Sequence, residues 1–149
     1  MNIAIGYDPN AAPLKEEVIA ELGDLGHEVR DYGGDDPVYA NVVIEVAEAV
    51  VRGDVDRGIV LCGTGIGASI AANKVPGAYC ALVTSHYQAE RAALSNDVNL
   101  IALGQHVLGN MVARDLVRTW MAHTGTFDPA GRSGPKVRRI IEYSEGRRT

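Results

Sequence analysis

Between Gly58 and Lys74 the chain passes from an apolar run, Gly58-Ile59-Val60-Leu61, through Cys62 and three alternate glycines, Gly63, Gly65 and Gly67, into an Ala-rich helical stretch. A short apolar run that ends in glycine reads as a strand buried on both faces. Strand, glycine loop and helix in succession make one βα unit, and a fold built from such units is a parallel sheet covered by helices. The junction also carries chemistry. Backbone N–H groups turn outward at the start of such a helix, where an anion is favoured. A thiol beside them meets the same partial positive charge, which favours thiolate. Base and anion cradle thus stand side by side, as proton abstraction next to a carbonyl requires.

The rest of the chain repeats the alternation. Strands are predicted over Asn2–Gly6, Glu28–Tyr32, Gly58–Leu61, Tyr79–Val83 and Leu100–Leu103. Helices are predicted over Pro13–Leu25, Tyr39–Arg52, Gly67–Lys74, Ser85–Leu94 and Val107–His123, with a last one starting near Pro135, since proline suits a first turn. Five such strands imply a three-layer, Rossmann-like α/β sandwich around a five-stranded parallel sheet, in one domain of 149 residues. Ligands in these folds bind beyond the carboxyl ends of the strands. Those ends are Gly6-Tyr7-Asp8, Tyr32-Gly33-Gly34, Cys62-Gly63-Thr64, Val83-Thr84-Ser85 and Leu103-Gly104-Gln105.

Composition narrows the classes. No apolar run approaches the ~20 residues of a membrane span, and the chain opens directly on a strand without an export signal, so a cytoplasmic protein is expected. Two cysteines, Cys62 and Cys80, without a CxxC pair or a histidine cluster give neither a disulfide nor a metal framework. A net charge of −5 argues against nucleic-acid binding. The C-terminal stretch is nonetheless basic, with Arg132, Lys136, Arg138, Arg139, Arg147 and Arg148 against Glu142 and Glu145. Most of these suit a solvated helix and a disordered tail over Glu145–Thr149, although one or two could reach a phosphate.

As a motif, Gly63-Thr64-Gly65-Ile66-Gly67-Ala68 satisfies a loose dinucleotide pattern, but that fingerprint belongs after the first strand and here follows the third. A Walker loop fails because no Gly-Lys-Ser/Thr follows. The structural alternative is a turn that only lets a helix pack close to the sheet, and Cys62 at the strand end tells against it.

Together with Ile3-Ala4-Ile5-Gly6-x-Asp8, Leu14-Lys15, Gly26-His27-Glu28-Val29, Asp31-Tyr32-Gly33, Asn96-Asp97-x-Asn99 and Leu103-Gly104, the block from Cys62 to Gly77 resembles the ribose-5-phosphate isomerase B / galactose-6-phosphate isomerase family over nearly the whole chain. The resemblance implies cofactor-free and metal-free aldose–ketose isomerisation of a sugar phosphate through a cis-enediolate. It assigns Cys62 as the base; relatives that use a glutamate instead carry it near Ala68. Backbone N–H groups from Gly63 through Gly65 and Ile66 to Gly67 would form the oxyanion hole. Thr64, Asp8 and Asn96 would handle substrate hydroxyls, and Tyr39 would line the substrate, with helix capping and core packing as the plain readings of Asn96 and Tyr39. The family further implies a homodimer, possibly paired into a tetramer, whose C-terminal helix, about residues 134–145, reaches the neighbour's site. Arg132 and Lys136 match its two C-terminal phosphate-binding arginines, four apart and so on one helix face if the helix extends that far.

Three departures concern substrate. Pro9 follows Asp8 where relatives have histidine; Ser95 precedes Asn96 where relatives have the histidine that opens a furanose ring; His106 stands where relatives have a phosphate-contacting arginine. A serine cannot replace imidazole as an acid–base near neutrality. One explanation is a substrate with no ring to open, such as erythrose 4-phosphate or erythrulose 4-phosphate. The other is that His86 or His106 takes over and ribose 5-phosphate is the substrate. A third reading, from another class, is a non-catalytic sugar-phosphate-binding protein, which would keep the cradle but has no use for the base.

Overall fold

The computed structural model describes residues 1–146. Strands β1 (Asn2–Tyr7), β2 (Glu28–Asp31), β3 (Arg57–Cys62), β4 (Cys80–Leu82) and β5 (Leu100–Gly104) form one parallel sheet in the order β2-β1-β3-β5-β4. Helices α1 (Ala12–Asp24), α4 (His86–Leu94) and α5 (Asn110–His123) cover one face; α2 (Tyr39–Arg52) and α3 (Ile66–Ala72) cover the other. The predicted three-layer parallel sandwich is the observed fold.

Side chains of the central strands are divided between the layers by their period of two. Ile3, Ile5, Ile59, Leu61, Ile101 and Leu103 pack with Leu14, Val18 and Leu22 of α1 and with Leu116 and Trp120 of α5. Ala4, Val60, Cys62 and Ala102 face Val43 and Val46 of α2 and Ala68 and Ala72 of α3. The second face carries the smaller residues, and two glycines bring α2 close. A methyl group at Gly6 would lie 2.8 Å from one Val46 methyl carbon, and one at Gly58 would lie 3.1 Å from the other.

From β1 the chain goes outward to β2 and returns to β3 on β1's other side, so the connection reverses between β1 and β3. That reversal opens a crevice at the carboxyl ends of the two strands. Tyr7 pairs with Leu61 there, and the Asp8 N–H donates to the Leu61 carbonyl at 2.9 Å. Asp8 and Cys62 are thereby set side by side.

Most boundaries shift from expectation by one or two residues, and three differences have a physical cause in single contacts or in the chain's end. Pro9–Ala11 forms a 3-10 turn before α1, because Asp8 caps it by accepting the Asn10 N–H at 2.8 Å and Pro9 suits its first position. Helix α5 starts at Asn110 rather than Val107, since the Gly104 carbonyl takes the N–H groups of Val107 and Leu108 in a turn of its own. Helix α6 (Gly134–Gly146) takes in Glu145 and Gly146, which were expected in a disordered tail; residues 147–149 of that tail, with Arg147 and Arg148, lie outside the described residues. Among the described residues no helix is long and apolar enough to cross a membrane.

Candidate active site

Cys62 is the last residue of β3, in register with Gly104 of β5, and is 4% exposed. Its sulfur accepts the Gly65 N–H at 3.1 Å. A donor aimed at sulfur binds the anion more strongly than the neutral thiol. Gly65 makes this contact possible: it holds φ at +78° as the residue capping α3, and a Cβ there would lie 2.6 Å from Leu82 and 3.0 Å from the Leu103 carbonyl carbon. Only glycine meets both demands at low cost. The next N–H, of Ile66, turns onto the Thr64 hydroxyl at 3.3 Å. Two donors expected in the oxyanion hole, those of Gly65 and Ile66, are therefore engaged within the loop.

Around this loop the fold gathers most of the expected residues. The ladder continues past the strand ends, with Gln105 N–H donating to the Cys62 carbonyl and His106 N–H to the Gly63 carbonyl, both at 2.9 Å. The His106 ring lies over Gly63, its Cδ2 3.2 Å from where a Cβ would stand. Tyr39, the first residue of α2, sets its hydroxyl against Gly67, where a Cβ would overlap it. Asp8 keeps one carboxylate oxygen on the Asn10 N–H at 2.8 Å. Cys62, Thr64, the loop glycines, Asp8, Tyr39 and His106 thus share one end of the sheet.

The remaining expected residues stand at the other end. Ser95 caps the C-terminus of α4 and Asn96 follows it, ahead of the amino end of β5. The five residues of β5, at about 3.3 Å each, separate them from Gly104 and hence from Cys62. Asn96 Nδ2 donates to the Arg91 carbonyl at 3.4 Å, the helix-capping contact. Asn96 also lines a groove of about 510 Å³ with Arg57, Asp97 and Val137, between α6 and the amino ends of the strands. Within it Asp97 adopts φ +49°, and burial pushes its carboxyl above the usual range while Arg57 opposes the shift. A shared site for Asn96 and Cys62 within one chain is therefore corrected by the strand direction.

The pairing of Arg132 with Lys136 is corrected as well. Helix α6 begins at Gly134, whose N–H closes a turn onto the Gly131 carbonyl, while the Ser133 carbonyl accepts from Lys136 and Val137. Arg132 lies in the turn and Lys136 in the first helical turn, so they do not share a helix face. Helix α6 itself buries little beyond Gly134 and Val137, and leaves Ile140 and Tyr143 each 52% exposed.

Two asparagines of the sequence block prove structural. Asn73 treats the β4 edge as a strand would, accepting the Cys80 N–H at 2.9 Å and donating to the Cys80 carbonyl at 2.8 Å. Asn99 accepts the Tyr79 N–H at 2.8 Å and donates to the Gly77 carbonyl at 2.9 Å. Gln105, unmarked by any motif, accepts the Leu14 N–H at 2.8 Å and so ties α1 to the His106 loop. Cys80 is a contrast to Cys62: burial pushes its thiol up to about 12.

Comparison with known proteins agrees with this arrangement. A family model described as Ribose/Galactose Isomerase matches residues 3–140. The chain is 40% identical to the D-erythrulose-4-phosphate isomerase of Pectobacterium atrosepticum, over 96% of this chain and 95% of that one. It is 38% identical to the ribose-5-phosphate isomerase B of Escherichia coli, over 97% of both. The structure of Clostridium thermocellum ribose-5-phosphate isomerase B superposes with a TM-score of 0.89 at 42% identity, covering 98% of this chain and 99% of that one. A thiol at the strand switch point, a glycine loop that donates to it and a match along almost the full length lead to one conclusion: the chain belongs to the ribose/galactose isomerase family and is a sugar isomerase.

Proposed function

We propose that the chain interconverts the aldose and ketose forms of a four-carbon sugar phosphate, with Cys62 as the base. The observation that supports it most is the Cys62 sulfur, held by the Gly65 N–H at the β1–β3 crevice beside Asp8 and Tyr39. Thiolate takes the proton from the carbon next to the carbonyl, and the enediolate is held by the N–H groups of Gly63 and Gly67 together with the Thr64 hydroxyl. Asp8 and Tyr39 bind the substrate hydroxyls. The four-carbon choice rests on Ser95: a chain phosphorylated on its terminal oxygen cannot close a furanose through that oxygen, so no imidazole is needed at this position. The similarity to an erythrulose-phosphate isomerase is as high as that to a ribose-phosphate one.

The opposite placement of Asn96, Arg132 and Lys136 supports a site completed by a second copy of the chain. In that homodimer the α6 end of one protomer, with Arg132 and Lys136, binds the phosphate at the Cys62 crevice of its partner. Lys136 serves as a point charge and Arg132 as a fork.

Purified protein assayed on erythrulose 4-phosphate and ribose 5-phosphate tests the reading. We expect fast turnover of the four-carbon substrate, abolished in Cys62→Ala, and weak turnover of ribose 5-phosphate. Efficient, Cys62-dependent turnover of ribose 5-phosphate would move the substrate to five carbons, and binding without turnover would leave a sugar-phosphate-binding protein.

A further inference from the structure

Isomerisation moves two protons: one between adjacent carbons, the other between the oxygens those carbons bear. Cys62 accounts for the first. The four histidines are the side chains whose ordinary titration range suits the second near neutrality. His27 stands beside the chain's N-terminus at 3.4 Å, at the amino end of the sheet, and His123 ends α5 about 21 Å from its start by helix rise. His86 heads α4 next to the edge strand β4. His106 lies against the base-bearing loop, with Cδ2 and Nε2 at 3.2 and 3.8 Å from the position of a Gly63 Cβ.

That placement is fixed from three sides. The His106 N–H is bonded to the Gly63 carbonyl, the two residues after His106 are bonded to the Gly104 carbonyl, and Gln105 is bonded to the α1 backbone. His106 is exposed, so its ring is open to solvent and to a bound molecule. A substrate whose reacting carbons reach the Cys62 sulfur puts the oxygens on those same carbons beside Gly63. Its phosphate, two carbons further along a four-carbon chain, points away.

We propose that His106 carries the proton between the two oxygens of the enediolate, an inference that rests on the isomerase reading. Starting from the aldose, the Cys62 thiolate breaks the C2–H bond and becomes a thiol. The C1=O double bond opens to give an enediolate with its charge on O1, and the imidazolium of His106 then gives its proton to that oxygen, leaving a C1=C2 enediol. Neutral imidazole then takes the O2 proton, the C2=O bond forms, and Cys62 returns its proton to C1. Both groups finish as they began, and no co-reactant is consumed. His106 therefore acts on oxygen, not on phosphate.

The test compares wild type, His106→Asn, His106→Arg and Cys62→Ala on erythrulose 4-phosphate in D2O, following both isomerisation and deuterium entry at carbon. For His106→Asn we expect kcat to fall about 100-fold or more with KM changed by less than about threefold. Deuterium entry should fall far less, so that exchange outruns product formation, and added imidazole should restore part of kcat. His106→Arg should not rescue. A rise in KM at unchanged kcat, repaired by His106→Arg, would overturn the proposal in favour of a phosphate contact. Equal loss of exchange and isomerisation, or no loss, would overturn it as well while leaving the isomerase reading intact. Wild-type protein that neither exchanges nor isomerises, on this or a five-carbon substrate, would instead remove the reading beneath it.

Discussion

At the scale of single residues, the two cysteines show how place decides chemistry. Both are nearly buried, yet Cys62 holds a backbone donor on its sulfur at a strand end, whereas Cys80 lies where burial pushes its thiol up to about 12. Alkylation of the folded protein with iodoacetamide near pH 8 should therefore modify Cys62 and spare Cys80, and bound sugar phosphate should protect Cys62; peptide mass mapping reads both. The same burial has a stability consequence. The folded chain keeps the Cys80 proton after the unfolded chain has lost it, so stability is full below the ordinary thiol value of 9.0 and declines as pH rises towards about 12. Denaturant midpoints measured between pH 8 and 11 should fall, and a Cys80→Ala variant, though less stable throughout, should lose its part of that alkaline slope. Cys62 and the three glycines were legible as residues because a thiol, a glycine loop and an apolar run coincide in the ten positions from Gly58 to Gly67. Gln105 was not legible, since its partner is the Leu14 backbone ninety-one residues away and no local pattern marks such a contact.

At the scale of elements, the glycine loop divides its work between shape and room. Gly65 is required for shape: an alanine there meets both a positive φ and Leu82 at 2.6 Å. Gly65→Ala should cost about 1–3 kcal/mol in chemical denaturation and abolish turnover, because the N–H on the Cys62 sulfur moves with the loop. Gly67 is required for room. It lies in α3, where alanine is the better helix former by about 1 kcal/mol, and the clash is only with the end of the Tyr39 side chain. Gly67→Ala should keep the melting temperature of the wild type or raise it, yet raise KM by about tenfold as the tyrosine is displaced; thermal melts and steady-state kinetics separate the two effects. The helices and strands were legible because each central strand is a short apolar run that meets a glycine at its carboxyl end, Gly6, Gly63 or Gly104. The 3-10 turn at Pro9–Ala11 and the late start of α5 were not, since both depend on single capping contacts, to Asp8 and to the Gly104 carbonyl. Arg132 and Lys136 show the same limit: their spacing suggested one helix face, and the turn closed by Gly134 separates them.

At the scale of the whole molecule, strand direction decides what one chain can do alone. Every strand of the sheet points the same way, so Cys62 and His106 collect at one end while Asn96 and α6 remain at the other. This division could not be read from the quoted motifs, which list the residues without saying which end of the sheet each meets. It leads to a complementation prediction. Cys62→Ala and Arg132→Ala/Lys136→Ala chains, each inactive alone, should regain activity when mixed and allowed to exchange subunits, because a mixed dimer keeps one complete site. Random pairing gives half the molecules one site of two, about a quarter of wild-type activity. Mixtures that stay inactive after exchange has been verified by mass would place the phosphate site within one chain.

The most direct measurement is proton NMR of erythrulose 4-phosphate in D2O with wild-type protein and with Cys62→Ala. The account predicts that the wild type loses the substrate's carbon-bound proton signals and builds up the isomeric sugar phosphate, while Cys62→Ala does neither at comparable rates. Retention of both exchange and isomerisation in Cys62→Ala would contradict it, because the base would then lie elsewhere than at the end of β3.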